Sequence, residues 1–189
     1  MQRVAIVDID SILWSLDDPF WEELKKYNSE IPFPGSTGWD FWIGYVTEEE
    51  FKKACNKVHY EQYMYKPFEY AKNLLDTLRA AGFHIVIASH RCSGSMGATV
   101  RWFSENNLVY NDIRIGSNIE GKFDKASLFD EFDVELIIDD APSTIKKALA
   151  RGITVFTIEY FFNKDISNVN FSKDSYELWK AIENYVNKG

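Results

Sequence analysis

Six residues far apart in the chain carry side chains that suit one kind of chemistry. Asp8 and Asp10 follow the apolar run Val4-Ala5-Ile6-Val7, and Ser89 follows Ile85-Val86-Ile87-Ala88. Lys125 stands in Gly121-Lys122-Phe123-Asp124-Lys125-Ala126, shortly before Asp139-Asp140, which close Leu136-Ile137-Ile138. Carboxylates gathered in one place repel each other and stay ionised together only beside a cation. Their hard oxygen donors suit a divalent ion, Mg²⁺ above all. A serine hydroxyl can donate to a phosphate oxygen, and a lysine adds positive charge to the same group. A nucleophile, a metal and donors held against charged oxygens are what phosphoryl transfer requires.

For that chemistry to occur, the fold must bring these residues together. Residues 4–7, 83–88, 136–138 and 153–158 are short, unalternated runs rich in Ile and Val, and they predict strands covered on both faces. A weaker strand is expected at 113–115. Helices are expected at 67–81, opened by Pro67 and striped by Tyr70, Leu74, Leu75 and Leu78, and at 99–106, 142–150 and 175–186. Lys125 heads a further short helix, 125–130. Gly82 and Gly152 stand where C-terminal glycines belong. Strands alternating with helices predict an α/β fold with a doubly wound, Rossmann-like parallel sheet. Ligands of such sheets bind outside the carboxyl ends of the strands. The acids and Ser89 all sit at such ends.

Residues 14–66 break the alternation. They hold 13 of the chain's 30 aromatic residues. Asp18-Pro19 predicts a helix start, and Thr47-Glu48-Glu49-Glu50 is a capping box opening a second helix with Phe51, Ala54, Cys55 and Val58 on one side. Residues 31–38, with two prolines and two glycines, must be a loop. The expected organisation is a core of residues 1–13 and 67–189 with a small helical cap, 14–66, inserted after the first strand.

Composition narrows the partners. The 189 residues carry 21 Lys+Arg against 29 Asp+Glu, a formal charge of −8 and a pI near 4.9, which argues against stable nucleic-acid binding. Two cysteines are too few for a disulfide framework. The first apolar run ends after four residues, too short for a secretory signal, and no stretch approaches the ~20 apolar residues of a membrane span. A soluble cytoplasmic protein without a membrane partner is expected. No zinc-type Cys/His cluster and no Walker-type glycine loop is present.

The four motifs, in this order along the chain, resemble those of the haloacid dehalogenase-like hydrolases, and the insertion lies where that superfamily carries a helical cap. The resemblance implies that Asp8 is the nucleophile and forms an aspartyl-phosphate. Asp10 would then protonate the leaving oxygen, deprotonate the hydrolytic water and offer its backbone carbonyl to Mg²⁺. Ser89 and Lys125 would hold the phosphoryl oxygens, with Lys122 and Arg101 as other candidates for the cation. Asp140 would touch the metal directly with Asp139 in support, although the two could exchange roles. Dehalogenases of this fold lack the second aspartate, so Asp10 points to phosphate esters. The family usually has Thr or Val where this chain has Ile12.

Ile137-Ile138-Asp139-Asp140-Ala141-Pro142 and the cap are similar to the 5'(3')-deoxyribonucleotidase branch, which implies nucleoside monophosphate substrates. Trp39, Phe41, Trp42 and Tyr45 are then candidates to stack a base, or to form the core of the cap. The alternatives are another small phosphorylated metabolite, a 3'-phosphorylated nucleic-acid end, a receiver-like module and an idle binding domain. His90 and Arg91 could contact substrate. His59 and His84 show no partner and read as structural.

Overall fold

The computed structural model describes residues 2–34, 38–116 and 123–188. Its strands are β1 (Val4–Val7), β2 (His84–His90), β3 (Asp112–Gly116), β4 (Val134–Ile138), β5 (Thr154–Ile158) and β6 (Asn170–Ser172). The helices are α1 (Asp17–Leu24), α2 (Glu48–Tyr60), α3 (Ala71–Ala80), α4 (Met96–Glu105), α5 (Leu128–Glu131), α6 (Pro142–Leu149) and α7 (Ser175–Val186). The strands form one parallel sheet in the order β3-β2-β1-β4-β5-β6.

Both faces of the sheet are covered, which is why the central strands read as unbroken apolar runs. Ala5, Val7, Ile85, Ile87, Leu136, Ile138, Phe156 and Ile158 join Leu74, Leu75 and Leu78 of α3, Trp102 and Phe103 of α4, and Leu178 and Ile182 of α7. The alternate residues Val4, Ile6, Val86, Ala88, Ile137 and Val155 join Leu128 and Phe129 of α5 and Ile145 and Ala148 of α6. The period-two alternation of strand side chains therefore splits each run between two cores.

Several local expectations are corrected. The helix foreseen from Pro67 begins at Ala71, because the Phe68 amide donates to the Leu13 carbonyl (2.8 Å) and ties residues 67–70 to the chain after β1. The helix foreseen from 99 starts at Met96, after a 3₁₀ turn at Ser93–Ser95. Lys125 heads a 3₁₀ turn, Lys125–Ser127, rather than a continuous helix; the Asp124 carboxylate caps it by accepting from the Ala126 amide, and α5 follows. β6 was not foreseen, since three residues at a sheet edge leave no periodic signal.

Between β1 and α3 lie α1 and α2 with an apolar cluster of their own: Phe20, Leu24, Ile31, Val46 and Ala54, backed by Trp21, Phe41, Trp42 and Phe51. The capping box of α2 forms in both directions, Glu50 amide to Thr47 Oγ1 and Thr47 amide to Glu50 Oε2. This segment seats on the sheet through Trp14 and Val58, which belong to the larger core. Each such burial contributes ~1.5–3 kcal/mol, so a few residues set how it docks. Among the described residues, no helix is long and apolar enough to cross a membrane.

Candidate active site

From β1 the chain proceeds to β2 on one side of the sheet, while β4 pairs with β1 on the other. That reversal opens a crevice at the carboxyl ends of β1 and β4, the usual ligand position in doubly wound sheets. Asp8 leaves β1 there, its amide donating to the Ile138 carbonyl of β4 (2.8 Å). Asp139 and Asp140 leave β4 at the same edge, and all three are buried. Each offers a carboxylate oxygen within 4.8 Å of the others'.

Lys125, almost fully buried, enters this cluster from its 3₁₀ turn. Its ammonium lies 2.7 Å from Asp8 Oδ2 and 2.7 Å from Asp139 Oδ2. Asp139 Oδ1 accepts from the Ala141 amide (2.9 Å), so both its oxygens are engaged. Asp8 Oδ1 accepts from the Ile9 amide (2.7 Å). No described residue donates to the Asp140 carboxylate, whose backbone carbonyl is held by the buried Asn163 side chain (3.2 Å). Of the acidic pair, Asp140 is therefore the one whose oxygens no described residue engages by hydrogen bond.

Asp10 leads into a tight turn in which Ser11 adopts the left-handed region (φ 59°) and Tyr160 donates its hydroxyl to the Ser11 carbonyl (2.7 Å). The Asp10 carboxylate is densely engaged. Trp14 Nε1 (2.8 Å) and Arg91 Nη2 (2.5 Å) donate to Oδ1, and Ser89 Oγ (3.0 Å) donates to Oδ2. His59 Nε2 lies 3.4 Å from Oδ2 but lacks hydrogen-bond geometry, and both ring nitrogens are buried without a hydrogen-bond partner among the described residues.

The electrostatics divide the site. Burial pushes Asp8 up to about 7; Lys125 pulls it down, while Asp139 and Asp10 add to the rise. Burial, Asp8 and Asp139 together raise Asp140 well above the carboxylate range. For Lys125, burial would lower the ammonium, but Asp139 and Asp8 outweigh it and hold it above its ordinary value. Burial would likewise raise Asp10, yet Arg91 and His59 outweigh it and hold that carboxyl well below the usual range. Burial and Arg91 lower His59 against the pull of Asp10. One acid is thus held ionised, while two share a site that resists ionisation.

The sequence-predicted residues Asp8, Asp10, Ser89, Lys125, Asp139 and Asp140 all meet at this edge. Lys122 lies outside the described residues. Arg101 stands apart from this cluster, on the solvent face of α4, paired with Glu105 (2.7 Å) and stacked over Tyr63. Phe41 and Trp42 pack into the apolar cluster of the insertion, against Phe20 and Phe51. Trp39 is half exposed and stands edge-on to Phe162 (5.0 Å), whose ring stacks on Tyr160 (5.3 Å). His90 packs against Phe123.

Sequence reasoning missed three residues, and it named a fourth, Arg91, only as a candidate substrate contact. His59, expected to have only a structural place, lies beside Asp10; Arg91, Gln62 and Asn163 are buried polar groups tied to the same edge. Arg91 was visible only as a neighbour of Ser89. Its burial, and the partner on a helical turn 29 residues earlier, depend on tertiary packing.

No family model matches the chain, and no curated protein sequence matches it. Solved structures do. A phosphoserine phosphatase from T. onnurineus is 21% identical, with 97% of this chain and 96% of that one covered at a TM-score of 0.56. The D,D-heptose 1,7-bisphosphate phosphatase of B. bronchiseptica, complexed with magnesium and phosphate, is 10% identical over 100% of both chains, at 0.59. A haloacid dehalogenase-like family hydrolase from Xanthomonas campestris is 12% identical over 99% and 98%, at 0.56. The fold is the one these hydrolases share.

Proposed function

We propose that this chain, on a fold shared with haloacid dehalogenase-like hydrolases, is a divalent-metal-dependent phosphomonoester hydrolase, with nucleoside (deoxy)monophosphates as its substrates in the manner of a 5'-nucleotidase. The observation that carries the reading is the meeting of Asp8, Lys125, Asp139 and Asp140 at the β1/β4 crevice, with Asp10 and Ser89 beside them.

The donor set fits Mg²⁺. It is all oxygen, buried, and holds three carboxylates against one ammonium, an excess of negative charge that a low-dielectric site tolerates only beside a cation. Asp8 and Asp140, with the Asp10 backbone carbonyl, would hold the ion, and Asp139 would act in support by orienting Lys125. When bound, the ion neutralises this excess charge and polarises the phosphoryl group.

In the reaction the Asp8 carboxylate attacks phosphorus, forming an aspartyl-phosphate as the bond to the leaving oxygen breaks. Lys125 and the Ser89 hydroxyl hold phosphoryl oxygens. Asp10 gives a proton to the leaving oxygen, then takes one from the water that cleaves the Asp8–phosphorus linkage. The ionised Asp10 of this structure is the form required for the second step. The first step needs a proton on Asp10, and hence a looser contact with Arg91.

Residues 14–66 act as the cap. The series Tyr160, Phe162 and Trp39 supports a base-bearing substrate, since it runs from the Ser11 turn to a half-exposed indole. The neighbours named for phosphoserine and heptose bisphosphate favour, as a second reading, a small phosphorylated metabolite without a base. Two free cysteines suit a reducing cytoplasm.

Phosphate release from nucleotides, hexose phosphates and phosphoamino acids, with Mg²⁺ and with chelator, tests the reading. Deoxynucleotides should be preferred, and Trp39→Ala should raise KM for them by about tenfold, as loss of one stacked base would. Release that persists in Asp8→Asn would overturn the mechanism.

A further inference from the structure

Arg91 is almost fully exposed to protein and hardly at all to water (2% accessible), and each of its hydrogen bonds goes to a different element. Nη1 donates to Gln62 Oε1 (2.6 Å), on the 3₁₀ turn Gln62–Met64 that ends the insertion, and to Thr99 Oγ1 of α4 (3.0 Å). Nε donates to Ser89 Oγ (3.2 Å) at the end of β2, and Nη2 to Asp10 Oδ1 (2.5 Å) after β1. Ser89 Oγ in turn donates a hydrogen bond to Asp10 Oδ2 (3.0 Å), so Arg91 reaches both oxygens of Asp10, one directly and one through the hydroxyl. The rigid, planar fork of a guanidinium can hold such an arrangement; the point charge of a lysine ammonium cannot.

We propose that Arg91 is the positioning residue of Asp10 and Ser89, and that Gln62 links it to the insertion, so that the seating of the insertion sets the geometry of the acid–base carboxylate. The catalytic part of this inference rests on the function proposed above, while the geometric part does not. Gln62 is completely buried and Thr99 likewise, so the rear of the fork is held by groups with nowhere else to turn. His59, on α2 of the same insertion, closes the fourth side of Asp10. The insertion is thereby a wall of the reaction site as well as its cover. A misplacement of about 1 Å at such a group can cost on the order of 10²-fold in rate.

Trp14 supplies a reporter, because its indole N–H donates to the same Asp10 oxygen (2.8 Å). The experiment records the Trp14 indole ¹H–¹⁵N resonance, assigned with Trp14→Phe, in metal-free protein for the wild type, Arg91→Lys, Gln62→Leu and Gln62→Glu. It pairs these spectra with kcat and KM for phosphate release from the best substrate of the panel. Arg91→Lys and Gln62→Leu should move the Trp14 resonance and lower kcat by about 10–100-fold with KM within about threefold; Gln62→Glu, which keeps the acceptor, should stay near wild type in both. Gln62→Leu keeps the Arg91–Asp10 pair, so it carries the test if Arg91→Lys fails to fold. A Trp14 resonance unmoved in folded Arg91→Lys and Gln62→Leu would overturn the proposal. Should the wild type release no phosphate, the proposed function falls, and the resonance alone decides whether Arg91 positions Asp10.

Discussion

Lys125 spends its burial on two partners, Asp8 and Asp139, each 2.7 Å away. Removing one member of a buried ionic group leaves the rest unpaired and costs about 3–5 kcal/mol. Lys125→Met is therefore expected to lose that much in urea unfolding with chelator present, and to recover part of it in Mg²⁺. Asp8→Asn should behave in the opposite way. Because burial pushes Asp8 up to about 7, its ionised form is a liability to the metal-free fold. The neutral amide should raise the melting temperature in chelator at pH 8 while phosphate release falls at least ~10³-fold, as expected on losing a covalent nucleophile. A variant that is both inactive and less stable would show that the Asp8–Lys125 contact outweighs the crowding of acids.

At the scale of elements, the site is assembled from strand ends, and strand ends are set by what packs behind them. Gly116 closes β3, and a Cβ there would lie 2.5 Å from Phe123 Cβ, a contact that side chains do not make. Phe123 in turn packs on His90, the residue after Ser89. Gly116→Ala must push this pair apart, and about 1–3 kcal/mol of lost stability is expected from overpacking, measurable by thermal or urea unfolding. The capping box of α2 is a milder case. Thr47→Ala removes a bond to the Glu50 amide on an exposed turn and should cost about 1 kcal/mol, with phosphate release unchanged because Thr47 is remote from Asp10.

For the molecule as a whole, the crowded carboxylates predict a pH dependence. Asp8 and Asp140 have folded pKa values raised above those of the unfolded chain. Folded protein therefore binds more protons, and the stability these groups contribute is complete below the ordinary carboxylate pKa of about 4; it is lost as pH rises, for Asp8 through about 7 and for Asp140 through its own raised value. Asp10 has the opposite sign: its contribution is lost only as pH falls below about 4, so it stays constant near neutrality. The lowered pKa values of His59 and His90 act chiefly below about 6.5. Between pH 6.5 and 8.5 the melting temperature in chelator should fall by several degrees, at roughly 2–4 °C per kcal/mol. Saturating Mg²⁺, which needs the ionised carboxylates, should flatten that slope and stabilise most at the alkaline end. A slope of the opposite sign would show that the acids are not crowded in solution.

Much of the architecture was legible in the residues themselves, because burial on two faces demands unbroken apolar runs and the polar residue ending each run marks the sheet edge where ligands bind. Asp8, Asp10, Ser89, Asp139 and Asp140 follow from that logic alone, and so does the helical insertion, whose aromatic density and capping box are local signals. Tertiary structure decided what depends on distance through space. Asp139 is committed to Lys125 while Asp140 is not, Arg101 faces water, and Phe41 and Trp42 are packing residues whereas Trp39 is half exposed beside Phe162. Arg91, Gln62 and Asn163 are tied to this edge because polar groups sealed from water must find each other, and His59 is placed beside Asp10 by the packing of α2. No spacing along the chain encodes a bond from residue 62 to residue 91; only the docking of the insertion against the sheet brings those two atoms together.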